Sequence, residues 1–150
     1  MNKIETGMKS RLIAGMATLA VGLLFILVPL YLFPVCEKTL TTTGNVVVPM
    51  KCFWTARMAA GLGAVIAVLG LLTCLSRSAV VRLGMAVSRL LLGLLGIAIP
   101  GFLIGVCMNE AMPCHMGTLP ALYLLAAILL ILSLASILHL RGKIKNTGEI

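Results

Sequence analysis

Apolar residues run in four long blocks, and charges mark the gaps between them. Residues 12–36, 58–76, 90–109 and 111–140 carry no Asp, Glu, Lys or Arg, giving stretches of 25, 19, 20 and 30 residues. In hydrocarbon, every backbone polar group must find a partner inside the protein, so only helices and closed barrels span a bilayer. The blocks lack the strict apolar–polar alternation of barrel strands, which leaves helices. A helix needs about 20 residues to cross the hydrocarbon core, and the pattern predicts four spans at roughly 12–34, 57–75, 84–106 and 119–139. The first block exceeds the ~7–15-residue core of a signal peptide. It leads through Leu32-Phe33-Pro34 to Cys36 with no small-x-small cleavage site. The first span is therefore expected to be retained.

Composition agrees with the pattern. The chain has 150 residues, 61% apolar and 11% charged, and its mean hydropathy is +1.15. A soluble domain carries about 25% charged residues. These values exclude an ordinary soluble enzyme, a disordered tail and a nucleic-acid-binding domain. The net charge of +8 is spread along the chain rather than clustered on one wet surface, as nucleic acid would require. It serves instead to fix orientation, because positive residues stay on the cytoplasmic side. With the N-terminus cytoplasmic, Lys3, Lys9, Arg11, Arg77, Arg82, Arg89, Arg141, Lys143 and Lys145 lie inside, and Lys38, Lys51 and Arg57 lie outside. Both termini are then expected in the cytoplasm of an inner-membrane protein, with external loops at about 35–56 and 107–118. Arg89 falls about two turns into the third span, where it either snorkels to the headgroups or stands as a buried charge. Trp54 and Tyr123 fit interfacial anchors. The tail 141–150 is basic enough to touch anionic lipid.

The chain also repeats itself. At an offset of 71, Gly22-Leu-Leu-Phe-Ile-Leu-Val-Pro-Leu-Tyr-Leu-Phe-Pro-Val-Cys36 lies over Gly93-Leu-Leu-Gly-Ile-Ala-Ile-Pro-Gly-Phe-Leu-Ile-Gly-Val-Cys107. Eight of the fifteen positions are identical, including Gly22/Gly93, Pro29/Pro100 and Cys36/Cys107, and Arg11-Leu12 falls over Arg82-Leu83. At an offset of 62, Met50-Lys-Cys52 lies over Met112-Pro-Cys114, each just before a span. The expected fold is an all-α membrane protein with four transmembrane helices arranged as two tandem parallel-repeat helical hairpins. Hairpin one covers about 11–77 and hairpin two about 82–140, in a single membrane domain. Pro29 and Pro100 each remove a backbone donor and should kink the first and third helices at equivalent depths. Gly101-x-x-x-Gly105, and Gly61 with Gly63, are candidates for close helix approach.

Specific chemistry concentrates outside. Cys36, Cys52, Cys107 and Cys114 belong to the external loops with Met50, Met108, Met112, His115 and Met116. Cys74 lies near the cytoplasmic end of the second span and fits a small apolar packing residue. Three chemistries suit the external four. Structural disulfides on the oxidising side would clip each loop, most simply as Cys36–Cys52 and Cys107–Cys114, although four cysteines allow three pairings. A soft-metal or haem site would draw on Cys52, Cys114, His115, Met50 and Met112, whose thiolate, thioether and imidazole groups suit copper(I). Thiol–disulfide exchange with a quinone would follow the layout of DsbB-like and vitamin K epoxide reductase-like enzymes. Arg57 would then lower a thiol pKa or meet a quinone oxygen, but the Cys-x-x-Cys of those enzymes is missing. No catalytic residue set is visible.

Pro49-Met-Lys-Cys-Phe-Trp-Thr-Ala56, Ile104-Gly-Val-Cys107 and Met112-Pro-Cys-His115 resemble the motifs of DUF4418, a family of small prokaryotic four-helix membrane proteins of unknown function. The resemblance covers nearly the whole chain. In the family pattern a His often follows the Met-Lys-Cys cysteine. Here Phe53 takes that place and only His115 remains, which counts against a metal site built from two equivalent histidines. Members accompany ABC-type exporters with FtsX-like permeases, so the resemblance implies an accessory membrane subunit. The expected function is a non-enzymatic accessory or assembly partner of a membrane complex, with a disulfide-braced external head. Its expected partners are the lipid bilayer and other membrane subunits or further copies of the chain, with no nucleic acid. No cofactor is expected, and copper, haem or quinone belong to the two alternatives.

Overall fold

The computed structural model describes residues 2–32, 39–41, 47–49, 51–105 and 114–147. Helix α1, Asn2–Leu27, continues into a π-helical turn at Val28–Leu32. Strands β1, Thr39–Thr41, and β2, Val47–Pro49, pair antiparallel with Leu40 opposite Val48. Helix α2 is Lys51–Leu75 and helix α3 is Ala79–Ala98, which continues into a second π-helical turn at Ile99–Leu103. A third π-helical turn, Cys114–Thr118, leads into helix α4, Leu119–Thr147. Four segments are long and apolar enough to cross a membrane: Lys9–Leu32, Phe53–Leu75, Ala79–Leu103 and His115–Gly142. The chain is an all-α, multi-pass membrane protein.

The bundle is apolar outside as well as inside. Ile13, Leu91, Ile131 and Leu138 are each at least 60% exposed, as lipid-facing side chains are. Inside, Phe25, Ile66, Leu122, Ala126 and Leu129 are each at most 1% exposed and join α1, α2 and α4 in one core, which Ile99 completes beside α3.

Helices α1, α2 and α3 start earlier than the predicted spans, at Asn2, Lys51 and Ala79, and α4 runs past its predicted end to Thr147, because charged and polar residues at the edge of a span need not stop a helix. Helix α3 begins at Ala79, five residues before the predicted start, because charge-free counting discards Arg82, whose side chain turns inward and is 9% exposed. Helix α4 runs to Thr147, through most of the segment expected as a tail. A helix satisfies its own backbone, so basic residues at the bilayer edge do not stop it, and Gly142 costs it only about 1 kcal/mol.

The two helix pairs pack differently. Gly15 and Gly22 of α1 face Gly63 and Gly70 of α2 along an antiparallel seam. A Cβ on Gly22 would sit 2.6 Å from the Ala67 amide nitrogen and 2.8 Å from the Gly63 carbonyl oxygen. A Cβ on Gly70 would sit 2.6 Å from the Leu19 nitrogen, and one on Gly15 would run into the Cys74 sulfur. Backbone therefore lies directly on backbone, the close approach that small residues permit in membranes. In the second pair, Gly93 of α3 meets the Leu130 side chain of α4, with a Cβ 3.0 Å from Leu130 Cδ2. Gly61, expected near such a contact, has nothing within 4 Å of a built Cβ. Gly101 lies under the Tyr123 hydroxyl, and Gly105 ends the third span with φ +75°, a left-handed conformation that favours glycine.

The prolines explain the π turns. A proline cannot donate to the carbonyl four residues earlier. Each of the first two π turns begins one residue before a proline, Pro29 or Pro100. In the second, the Ile104 amide donates to the Ile99 carbonyl at 3.1 Å, a five-residue step that typifies a π-bulge.

Candidate functional site

Antiparallel packing sorts the chemistry into two ends and an interior. The starts of α1 and α3 share one end with the 76–78 turn, where an Arg11 Nη donates to the Ser76 carbonyl at 3.5 Å. The starts of α2 and α4 share the other end with the π turns, where Thr55 Oγ1 donates to the Gly105 carbonyl at 2.8 Å.

At this second end the backbone places Cys52 as the second residue of α2 and Cys114 as the first of its π turn. Their side chains, and Cys36, Cys107, Met50, Met108 and Met112 entirely, lie outside the described residues. His115 is half-buried and Met116 is 73% exposed. Phe53 stands edge-on to Trp54, with centroids 6.0 Å apart. The Arg57 guanidinium lies over the Phe53 ring, 5.0 Å from its centroid. That is one helical turn away, a spacing that brings side chains together, and it occupies Arg57 with a cation–π contact. Thr55 is buried and joins the start of α2 to the end of the third span. Thr55→Val keeps the shape and removes the donor, so it should lower stability by about 1 kcal/mol, read from unfolding in mixed micelles.

The interior holds Arg89. It lies ten residues beyond Ala79, about 15 Å along the helix, near the middle of a hydrocarbon core of roughly 30 Å. It is 1% exposed, so it does not snorkel to the headgroups. One Nη donates to Thr18 Oγ1 at 2.6 Å and Nε donates to the Met85 carbonyl at 3.3 Å. Thr18 Oγ1 in turn donates to the Ala14 carbonyl at 2.8 Å, which leaves its lone pairs facing the guanidinium. Nearby, the Phe25 ring covers Gly96, where a Cβ would be 3.4 Å from the ring edge.

The first end holds a feature that sequence reasoning missed. A cavity of about 370 Å³ lies between α1, α3 and α4, with Arg82, Ser10, Ser136 and His139 on its wall. By sequence, Arg82 reads only as a marker of the cytoplasmic side. The available signal was its seven-residue spacing from Arg89, which puts both on one helix face. Cys74, near the same end, is a free thiol packed over Gly15. Among the described residues no group of three or more His, Cys, Asp or Glu is placed to hold a metal.

No curated protein and no solved structure matches the chain. A family model does match, over residues 18–139. The matched stretch runs from the threonine that receives Arg89, through both π turns and the Cys52 and Cys114 elements, to the histidine at the cavity wall. The chain belongs to DUF4418, a family defined by a domain of unknown function.

Proposed function

We propose that the chain is a non-enzymatic accessory or assembly subunit of a membrane complex, built as two hairpin repeats that carry one disulfide-braced head. The observation that carries this reading is the gathering of the Cys52 and Cys114 elements at one end of the bundle, tied across the hairpins by the Thr55–Gly105 hydrogen bond. The repeat is supported by a pattern in the contacts. Thr18 and Arg89 are 71 residues apart and hydrogen-bonded. Phe25 and Gly96 are 71 apart and in contact. Residues at one fixed offset that meet in pairs lie along an axis between the two copies, as parallel repeats require. The orientation with both termini in the cytoplasm of an inner membrane rests on the positive charges at the Arg11 end. An ABC-type exporter is the partner class implied by the family resemblance.

Thiol labelling on intact cells tests the head. All four external cysteines should resist a membrane-impermeant maleimide until reductant is added, then react together, while Cys74 stays protected until the bundle unfolds. Four thiols that react without reductant would sink the disulfide brace and favour a soft-metal site. A single pair whose state follows quinone supply would replace the accessory role with a thiol–disulfide oxidoreductase.

A further inference from the structure

The cavity at the Arg11 end joins a polar rim to an apolar wall. Its polar side chains are Arg82, Ser10, Ser136 and His139, and Ile13 and Leu132 are among the apolar ones. Arg82 is 9% exposed, and its Nε is buried with no hydrogen-bond partner among the described residues. Arg11, half-buried beside it, has an Nε in the same condition. A buried guanidinium nitrogen with no partner carries a desolvation penalty unless an acceptor meets it.

No carboxylate belongs to the membrane-spanning segments that carry these arginines. The acidic residues of the chain, Glu5, Glu37, Glu110 and Glu149, all lie outside the four spans. Arg11 acts on Arg82 as a like charge, which raises the demand for a counter-ion. The Ser136 hydroxyl donates to the Leu132 carbonyl at 2.7 Å, so its oxygen is oriented by the helix.

Depth and shape select the anion. Arg82 is three residues beyond the start of α3, about 5 Å along the axis, close to the headgroup boundary rather than mid-bilayer. From Ser10 to Ala17 the wall descends two turns of α1, about 10 Å, and turns from polar to apolar. A free anion has no use for the apolar depth, whereas a phospholipid has a phosphate above and an acyl chain below. Arginine is the side chain best matched to phosphate oxygens, and basic pockets between membrane helices bind anionic headgroups.

We infer that this cavity is a binding site for one anionic phospholipid, with its phosphate ester on Arg82 and an acyl chain along the cleft between α1 and α4. The inference rests on the bundle and not on the proposed head, so either can fail without the other.

The test uses the full chain, delipidated in detergent and titrated with phosphatidylglycerol, phosphatidylcholine or inorganic phosphate. Native mass spectrometry counts bound lipid, and thermal unfolding reads the gain in stability. The wild-type chain should take one phosphatidylglycerol at about tenfold or greater preference over phosphatidylcholine, the size of one charge-assisted contact. Arg82→Gln should abolish that preference, and Arg82→Lys should keep part of it. Ala135→Phe, which fills the cavity from α4 and leaves every arginine in place, should also evict the lipid. Arg77→Gln, at an exposed position outside the cavity, should change nothing. Equal affinity for the two lipids would overturn the inference. So would an Arg82→Gln chain that folds, judged by circular dichroism and gel filtration, and still selects phosphatidylglycerol. If inorganic phosphate alone stabilises the chain as much as lipid does, the site takes a soluble anion and the lipid assignment fails. Should Arg82→Gln not fold, retention of lipid by Ala135→Phe decides against the inference.

Discussion

Thr18→Val should destabilise the bundle by about 2–3 kcal/mol, more than removing the charge that Thr18 serves. The hydroxyl is fully buried and accepts the Arg89 guanidinium at 2.6 Å. Valine keeps the volume and deletes the acceptor, so a mid-membrane charge loses a partner that no water replaces. Arg89→Met deletes the charge along with its need for acceptors. Apolar replacement of buried ionic groups is often neutral or stabilising, so this variant should lie close to the wild type. The double variant Thr18→Val with Arg89→Met should then recover most of the stability lost by Thr18→Val alone. Unfolding in mixed micelles, followed by the single tryptophan, Trp54, reads all three. An Arg89→Met chain as unstable as Thr18→Val would mean that the guanidinium is itself a net source of stability. A chain that stays stable but loses its co-purifying subunits would give Arg89 a role in assembly.

Two glycine-to-alanine changes on the same helix pair should have opposite signs. Gly22→Ala places a methyl 2.6 Å from the Ala67 nitrogen and 2.8 Å from the Gly63 oxygen. These are backbone atoms and no rotamer relieves them, so α1 and α2 must separate. Overpacking of this kind costs about 1–3 kcal/mol, and contact with backbone puts Gly22→Ala at the upper end. Gly61→Ala meets nothing within 4 Å and gains the helix preference of alanine over glycine, roughly 0.5–1 kcal/mol. The same unfolding assay separates them. A neutral Gly22→Ala would show that the helices are free to move apart.

The spans were legible because hydrocarbon tolerates no break in an apolar run, and each of the four blocks lies within or over an observed helix. The helix ends were less legible. Arg82 and the basic residues after Leu140 look like membrane boundaries by charge, yet the helices continue through them. The seam was not legible from adjacent glycines. Gly61 and Gly63 are two residues apart, and at about 100° per residue they face opposite ways, so only Gly63 reaches α1. The informative spacing was seven, shared by Gly15 with Gly22 and by Gly63 with Gly70. The cavity could not be read locally. It exists only where Ser10, Arg82 and His139, each unremarkable in its own helix, are brought together by the crossing of α1, α3 and α4.

The two kinds of helix contact also divide the molecule mechanically. Along the seam, α1 and α2 touch through peptide groups that have no side-chain freedom with which to absorb a displacement. They can slide or part only by giving up the whole contact, so they travel as one stiff body. Helix α4 rests on α3 through Leu130, a side chain with rotamers to spare, and meets α1 through side chains of the core and across the cavity. Motion is therefore steered to α4. A spin label on α4 at Leu138, paired with one on α1 at Ile13, should report a broader distance distribution than a pair spanning α1 and α2, and lipid in the cleft should narrow it.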